Sequence, residues 1–258
     1  GVKMLRFFNA RARHLTDPFL MLDLFGTDNP DDYIAGFPAH PHRGFETVTY
    51  MIDGRMRHED NRGNQGDLGP GGVQWMTAGR GIVHSEMPQQ QEGAMRGFQL
   101  WINLPAAMKM IEPGYQDIQP EHIPEAALDN GGHVRVVAGE YDGVRGPVKP
   151  RPTQPLFLDV HLPSGAEFEM EVPRGHRAFL APHQGAVDVQ GEEIATGTLA
   201  LLNEDGERVR FAAGTEGTRC LLVAAQPIGE PIAHYGPFVM NTQAEIMDAV
   251  RDYQAGRF

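Results

Sequence analysis

The chain has 258 residues, of which 41% are hydrophobic and 22% are charged, a composition that supports a packed core and excludes global disorder. Its formal net charge of −12 excludes a phosphate-binding surface for nucleic acid and disfavours an anionic membrane, because both need clustered Lys and Arg. The single cysteine, Cys220, excludes an intramolecular disulfide bond and a zinc site built on cysteines. No apolar run reaches the roughly 18 residues that a membrane helix needs, so the sequence predicts a cytoplasmic protein.

Glycine and proline residues, 31 and 20 in number, divide the chain into short segments, a pattern typical of an all-β sandwich or barrel. In the first half, β-branched and aromatic residues or alternating polarity predict strands at 45–52, 73–77 and 97–104. The stretch 105–130 carries four prolines, so it is predicted to connect two halves without a long helix.

The second half repeats this rhythm of short strands, and only its end is predicted to be helical. Strands are predicted at 155–162, 165–172, 178–181 and 219–224, and a pair of strands joined by a loop is predicted at 191–203. Asn241 or Thr242 can cap a helix, and Ile246, Val250 and Tyr253 then recur at helical spacing. We therefore expect one short C-terminal helix on an all-β protein.

Two short polar pairs in the first half carry the candidate chemistry. His40 and His42 are two positions apart, so on an extended segment both imidazoles leave one face with their Cα atoms ~6.6 Å apart. Glu46 has the same parity and is expected on that face if the strand is continuous. His84 and Glu86 repeat the spacing after a tight glycine loop. One such pair alone does not identify a metal site, because 11 histidines in 258 residues produce about 0.5 pairs by chance.

If the two pairs lie on neighbouring strands, they supply three imidazoles and a carboxylate to one ion. Nitrogen and oxygen ligands without thiolate suit Fe(II), Mn(II), Ni(II), Cu(II) or Zn(II). This set leaves open positions on an octahedral ion, where a substrate or dioxygen can bind. The pattern therefore predicts one mononuclear metal centre in the first half.

These motifs resemble those of a known superfamily. The His-x-His-x-x-x-Glu motif, the turn residue Gly54, the Gly-x-x-x-Pro-Gly segment at 66–71 and the later His84 resemble the two-part cupin signature. More narrowly, the chain resembles pirins over 18–25, 37–50, 72–86 and 227–242. The resemblance implies two cupin β-barrels packed face to face, which we expect at 1–130 and 131–258, with the C-terminal tail packing back on the first half.

The resemblance also implies the residues of the site. In pirins only the N-terminal barrel carries metal, and the matching ligands here are His40, His42, His84 and Glu86, with Fe(II) as the expected ion. In other cupins the motif glutamate, here Glu46, is often the ligand. We expect Glu46 to handle a proton beside the metal, a role that Glu86 could also perform.

The histidines of the second half are interpreted differently. His161, His176 and His183 form no His-x-His pair, and they are not expected to form a pair of matching parity with a nearby carboxylate. They are interpreted as surface or hydrogen-bonded structural histidines. The second barrel is accordingly expected to be free of metal.

The resemblance implies quercetin 2,3-dioxygenase-type activity, in which dioxygen cleaves a flavonol ring and carbon monoxide is released. The expected substrate is a small aromatic molecule whose 3-hydroxyl gives its proton to Glu86 or Glu46. Two alternatives stay open at this stage. Pirins also act as metal-dependent regulators that bind a transcription factor or a metabolic enzyme without catalysis. A third reading is a metal-dependent isomerase or another cupin enzyme, because fold does not decide chemistry.

Overall fold

The computed structural model describes residues 2–204 and 206–258. The Cα positions divide the chain into two compact units, which comprise Gly1–Pro120 with Ile228–Phe258, and Glu121–Pro227. Each unit has its own sheets and its own core. Neither helix in the described part of the chain is long and apolar enough to cross a membrane.

The C-terminal segment from Ile228 onward belongs with the first unit, although the division by sequence placed it in the second half. Its residue Val239 is fully buried and packs in one cluster with Leu20 and Phe45. An apolar segment of this kind gains free energy by leaving water, and the first unit supplies the surface that covers it.

Short strands and single helical turns make up the first part of the chain. The strands are β1 (Met4–Phe8), β2 (Phe19–Thr27), β3 (Phe37–His42), β4 (Phe45–Asp53), β5 (Met56–Asp60), β6 (Gln65–Leu68), β7 (Val73–Thr77), β8 (Ile82–Pro88), β9 (Met95–Asn103) and β10 (Gly114–Ile118). The helical segments are α1 (Arg13–Thr16) and the 3₁₀ turns Ala10–Ala12, Pro30–Asp32, Ala106–Met108 and Pro120–His122.

The second unit is built from strands alone apart from its first turn, as far as the described residues show. They are β11 (Glu125–Ala127), β12 (His133–Ala138), β13 (Glu140–Tyr141), β14 (Val144–Arg145), β15 (Leu156–Leu162), β16 (Glu167–Glu171), β17 (Arg177–Val189), β18 (Glu192–Ala195), β19 (Ala200–Leu201) and β20 (Arg208–Ala225). The C-terminal segment of the first unit then adds β21 (Ala233–Tyr235), β22 (Phe238–Met240) and α2 (Gln243–Gln254).

The predicted C-terminal helix is confirmed by α2. Thr242 is its N-cap, and the Thr242 hydroxyl accepts from the backbone N–H of Glu245 while the Glu245 side chain accepts from the backbone of Thr242. This reciprocal capping satisfies donors that the first turn would otherwise leave unpaired. Ile246 and Ala249 form the buried face of the helix.

Two antiparallel sheets form the body of the first unit. One has the order β1-β2-β9-β4-β7-β10 and the other β3-β8-β5-β6. Apolar side chains of both sheets share one cluster, which contains Phe25, Tyr33, Met51, Met56, Leu68 and Met95. The predicted strands at 45–52, 73–77 and 97–104 are confirmed as β4, β7 and β9. The predicted connector contains no long helix, but it contributes β10 as an edge strand.

The second unit is organised around one sheet with the order β11-β12-β15-β20-β17-β18. Its core includes Leu158, Val160, Leu180 and Leu222, which come from the three central strands. The strand predicted at 219–224 is only the end of β20, which begins at Arg208. The expected all-β class is confirmed in both units.

Candidate metal centre

Three histidines of the first unit meet between adjacent strands. His40 and His42 lie on β3, and His84 lies directly opposite His40 on the antiparallel neighbour β8. The ring centroids are 4.7 Å apart for His40 and His42, 4.5 Å for His40 and His84, and 5.0 Å for His42 and His84. Each ring offers a nitrogen that lies within 4.8 Å of the other two. The structure thus brings the two predicted pairs together through their histidines.

The imidazole nitrogens of this cluster fit a metal ion. His84 is 1% exposed, and neither of its ring nitrogens has a hydrogen-bond partner among the described residues. The Nδ1 atom of the buried His42 is equally unpaired within that part of the chain. His40 Nδ1 lies 2.8 Å from the Pro38 carbonyl oxygen, which can only accept, so Nδ1 carries the proton and Nε2 keeps its lone pair. Buried unpaired nitrogens are costly, and a shared cation satisfies them together.

Burial also keeps these imidazoles neutral. It lowers the pKa of His84 to about 3, with a further lowering by the charge of His40. Burial and the charges of His84 and His40 lower the pKa of His42 well below its usual value. A hydrogen bond to the Pro237 backbone raises this pKa, but its effect is smaller. The pKa of His40 is lowered as well, chiefly by burial. A neutral imidazole presents a lone pair, so metal binding at neutral pH displaces no proton from these rings.

Glu86 lies on the same strand as His84 and faces the same cavity as His40 and His42. Its carboxyl group is buried, and burial raises the pKa of Glu86 to about 7, although the hydrogen bond with Thr49 lowers it. Thr49 Oγ1 is 3.0 Å from Glu86 Oε1 and 2.6 Å from Gln99 Oε1. The carboxylate of Glu86 is outside the group whose donor atoms all lie within 4.8 Å, so its role as the fourth ligand stays a prediction.

Thr49 and Gln99 are functional neighbours that the sequence did not reveal. They lie opposite each other on β4 and β9, and only the pairing of these strands brings them together. Because one hydroxyl carries one proton, Thr49 can donate to only one of the two oxygens that it contacts. A protonated Glu86 resolves this by donating to Thr49, which then donates to Gln99.

The expectation that Glu46 shares the histidine face through a continuous strand is wrong. The strand ends at His42, and Gly44 with φ +89° turns the chain into β4, which belongs to the other sheet. The Glu46 carboxylate instead accepts hydrogen bonds from Trp75 Nε1 at 3.2 Å and Thr77 Oγ1 at 2.8 Å. These bonds hold the carboxylate in place, and its role in proton handling stays a prediction.

A cavity of about 460 Å³ opens beside the three histidines. His40, His42 and Glu86 contribute to its wall, and most of the remaining wall is apolar, including Leu20, Met21, Phe25, Phe37 and Trp101. The Trp101 ring meets the His42 ring edge to face at 5.2 Å. The volume lies in the range of about 300–1,000 Å³ that is usual for small-molecule sites.

A second cluster lies in the second unit, where the sequence interpretation was wrong to find no matching carboxylate. Asp159 and His161 are two positions apart on β15, and His183 reaches them from β17. Donor atoms of the three side chains all lie within 4.8 Å of one another. The two-residue spacing of Asp159 and His161 is a signal that the sequence carries, because on one strand it places both side chains on the same face. His176 is not part of this cluster.

Comparison with known proteins identifies the family. The profile for pirin matches residues 1–102, and the profile for the pirin C-terminal cupin domain matches residues 157–258. The chain belongs to the pirin family. These matches, together with the strand-rich structure, confirm the two-domain cupin fold that the sequence resemblance implied.

Among other pirin relatives, a Pseudomonas aeruginosa protein provisionally named quercetin 2,3-dioxygenase is 53% identical over 264 residues, which cover 99% of this chain and 92% of the relative. A pirin-like protein of Caulobacter vibrioides is 49% identical over 259 residues, covering 100% of this chain and 93% of the relative. The crystal structure of a quercetin 2,3-dioxygenase from Acinetobacter baumannii superposes with a TM-score of 0.93 at 37% identity, covering 100% of this chain and 92% of that one.

Proposed function

We propose that this pirin is a metal-dependent dioxygenase that cleaves a flavonol-like substrate with dioxygen and releases carbon monoxide. The observation that carries the proposal is the set of three neutral imidazoles, two of them buried, whose nitrogens converge beside a mostly apolar cavity of about 460 Å³. The names of the relatives from Pseudomonas aeruginosa and Acinetobacter baumannii support the same reaction class.

His40, His42 and His84 would hold the ion, with Glu86 as the proposed fourth ligand. This nitrogen and oxygen set suits Fe(II), the ion we propose, and also admits Mn(II), Ni(II), Cu(II) or Zn(II). When bound, a divalent ion supplies Lewis acidity, which lowers the pKa of a hydroxyl that coordinates it. The identity of the ion follows from availability as much as from affinity, so it must be measured.

The protein's own groups can move the proton that a flavonol hydroxyl must lose. Burial raises the pKa of Glu86 to about 7 when no cation is bound, so Glu86 can accept and release a proton at neutral pH when it is not itself coordinated. Thr49 and Gln99 extend from Glu86 as a chain of hydrogen-bonding groups. We assign Glu86 the proton-accepting role and Glu46, held by Trp75 and Thr77, a supporting one.

The cavity wall favours a flat aromatic ligand. Phe37 and Trp101 present ring surfaces, and Leu20 and Met21 add apolar surface. Another part of the wall is polar, where Arg6 donates to both oxygens of Asp23. A dry cavity strengthens the electrostatic interactions of the substrate hydroxyl and limits side reactions with water. These features support an aromatic substrate over a highly charged one.

The experiment is an aerobic assay of Fe(II)-loaded protein with quercetin, following the flavonol absorbance and the carbon monoxide released. We expect turnover that stops without dioxygen and falls to the buffer rate in His84→Ala. His122→Ala removes an exposed histidine far along the chain and should leave the rate unchanged. No metal-dependent loss of flavonol, with each of the candidate ions tested, would overturn the proposal.

The regulatory alternative stays a prediction. The net charge of −12 favours a protein partner over nucleic acid, but no described surface selects a particular partner. The cytoplasmic location expected from the sequence also stays a prediction. Catalytically inert, metal-replete protein in the quercetin assay would be the result that favours regulation.

A further inference from the structure

We propose that Asp159, His161 and His183 form a second binding site for a divalent transition-metal ion, within the second unit. The site would hold its ion independently of the histidine cluster of the first unit. Its donors are two imidazoles and one carboxylate, a combination that also binds first-row metals elsewhere in proteins.

Strand geometry places these donors on one face of the sheet. Leu158 and Val160 point into the core of the second unit, so Asp159 and His161 point away from it. His183 lies on β17, and β20 runs between β17 and β15. The three side chains therefore converge over β20, where Leu221 lies directly opposite Asp159.

The distances between donors suit a shared ion. Asp159 Oδ2 lies 2.9 Å from His161 Nε2, and Asp159 Oδ1 lies 2.8 Å from His183 Nε2. Ligands at 2.0–2.2 Å from one ion are roughly 3 Å apart when they occupy adjacent positions. The two nitrogens contact different oxygens of Asp159, so a shared ion requires the carboxylate and the two imidazoles to move toward one centre.

The cluster is buried, and its carboxylate lies within hydrogen-bond distance of both imidazoles. The side chains of Asp159 and His183 are 2% and 3% exposed. A carboxylate in such surroundings must be neutralised or hydrogen bonded, and a divalent ion neutralises it while using the lone pairs of both imidazoles. Two imidazoles donating hydrogen bonds to the carboxylate would give similar distances, so the experiment must separate the two arrangements.

Of the three donors, His161 lines a cavity of about 230 Å³ together with Gln184 and Thr218. His161 is the most exposed of the three donors, at 16%. Water in this cavity could occupy the positions that three protein ligands leave open, which is usual for sites with an incomplete protein ligand set.

The test is the metal stoichiometry of untagged full-length protein that has been stripped of metal and dialysed against Co(II) and, separately, Zn(II). We expect two equivalents in the wild type, one in His84→Ala, one in His183→Ala and none in the double variant. The Co(II) absorption spectra of the two single variants should differ, because one remaining site has an N₂O ligand set and the other is rich in nitrogen. His176→Ala is the matched control and should keep two equivalents.

One equivalent in the wild type that His84→Ala removes completely would overturn the proposal, and so would two equivalents that survive His183→Ala. Because removal of a buried histidine can impair folding, Asp159→Asn provides a second variant of nearly equal volume. It should also lose one equivalent while retaining the wild-type circular dichroism spectrum. The quercetin assay reports on the first site alone, so failure of either proposal is distinguishable from failure of the other.

Discussion

At the scale of single residues, burial determines which groups carry protons around the first metal centre. His42 and His84 are almost completely enclosed, and the pKa of each is lowered, so both enter metal binding as neutral ligands. Burial has the opposite effect on a carboxylic acid, and it raises the pKa of Glu86 to about 7. Glu86 is therefore the member of the predicted ligand set whose protonation changes near neutral pH.

This difference predicts how metal affinity depends on pH. If Glu86 is a ligand, its proton must leave when the ion binds, so the apparent affinity should fall about tenfold for each pH unit below about 7. Above that pH the dependence should flatten, because Glu86 is already ionised. Competition with a chromophoric chelator, corrected for the chelator's own protonation, measures this between pH 5.5 and 8.

Two amide variants identify the carboxylate responsible. Glu86→Gln should bind more weakly and lose the dependence on pH, whereas Glu46→Gln should retain it. Glu46→Gln should lower activity more than metal content, because its amide cannot accept from both Trp75 and Thr77. The reverse pattern, with the dependence lost only in Glu46→Gln, would assign the ligand role to Glu46.

At the scale of elements, the turn between β3 and β4 links the metal ligands to the C-terminal segment. Gly44 has φ +89°, and a Cβ atom there would overlap the carbonyl oxygen of Val239 on β22. Gly63 has nearly the same φ, +87°, but a Cβ atom there would meet nothing within 4 Å. Replacing each glycine with alanine therefore separates two contributions to the loss of stability. Both positions carry the penalty of the backbone conformation, and only Gly44 adds the overlap with Val239.

Alanine at each position should give different losses of stability. Gly63→Ala carries only the left-handed backbone penalty, on the order of 1–2 kcal/mol. Gly44→Ala should lose a further 1–3 kcal/mol, roughly, because β22 must move, and it should retain less metal because His42 is two residues away. Urea unfolding and metal analysis of both variants measure this. Equal losses in the two variants would show that β22 does not constrain the turn.

Lys109 joins the same elements through one buried amino group, which is an ammonium ion below about pH 7. Its Nζ donates to the Gly44 carbonyl at 2.8 Å, to Asn103 Oδ1 at 2.6 Å and to the Val239 carbonyl at 2.9 Å. Burial lowers the pKa of Lys109 to about 7, although the charges of two nearby glutamates oppose the shift. An unfolded chain would keep this lysine protonated up to about pH 10.4.

The shift gives the sign of a stability effect. Between pH 7 and about 10 the unfolded state binds the Lys109 proton and the native state does not, so this group makes the protein more stable as pH rises. The contribution is up to about 1.4 kcal/mol per pH unit. In urea unfolding at pH 7, 8 and 9, the free energy of unfolding of the wild type should rise relative to that of Lys109→Met. Parallel pH profiles would mean that the native lysine stays charged.

The sequence could predict strands where residue type and pairing agree, and it could not predict how strands are distributed between sheets. In β4, Thr47, Val48 and Thr49 combine β-branched side chains with burial on both faces, so the strand is visible in sequence. By contrast, β3 contains Pro38 and Pro41, and proline usually indicates that a segment is not a strand. β3 tolerates both prolines because it is an edge strand. The assumption of one continuous strand through Glu46 failed because Gly44 turns the chain between β3 and β4, which belong to different sheets.

The same distinction applies to the sites. The two-residue spacing of His40 and His42 could be interpreted from sequence because neighbours on one strand share a face. The approach of His183 to Asp159 could not, because it crosses the intervening strand β20 and depends on strand order. Long-range pairing of this kind leaves no periodic signal in either segment.

At the scale of the whole molecule, each unit has its own apolar core, and the first metal centre belongs to one unit only. The second unit is held by a cluster that includes Val136, Leu158 and Leu222, all completely buried. The first unit buries Phe98 and Ile102 as completely. Binding of an ion stabilises the part of the structure that holds it, by about 2.7 kcal/mol when the free ion is at 100 times its Kd.

Loss of the first ion should therefore loosen β3 and β8 and leave the core of the second unit unchanged. Hydrogen exchange measured by mass spectrometry on metal-loaded wild type and His84→Ala tests this, with circular dichroism to verify the fold. We expect faster exchange in peptides of β3 and β8 and equal exchange in peptides of β12, β15 and β20. Faster exchange in the second unit as well would show that the ion supports both cores. Local unfolding of the second unit would then depend on metal ligands that all belong to the first unit.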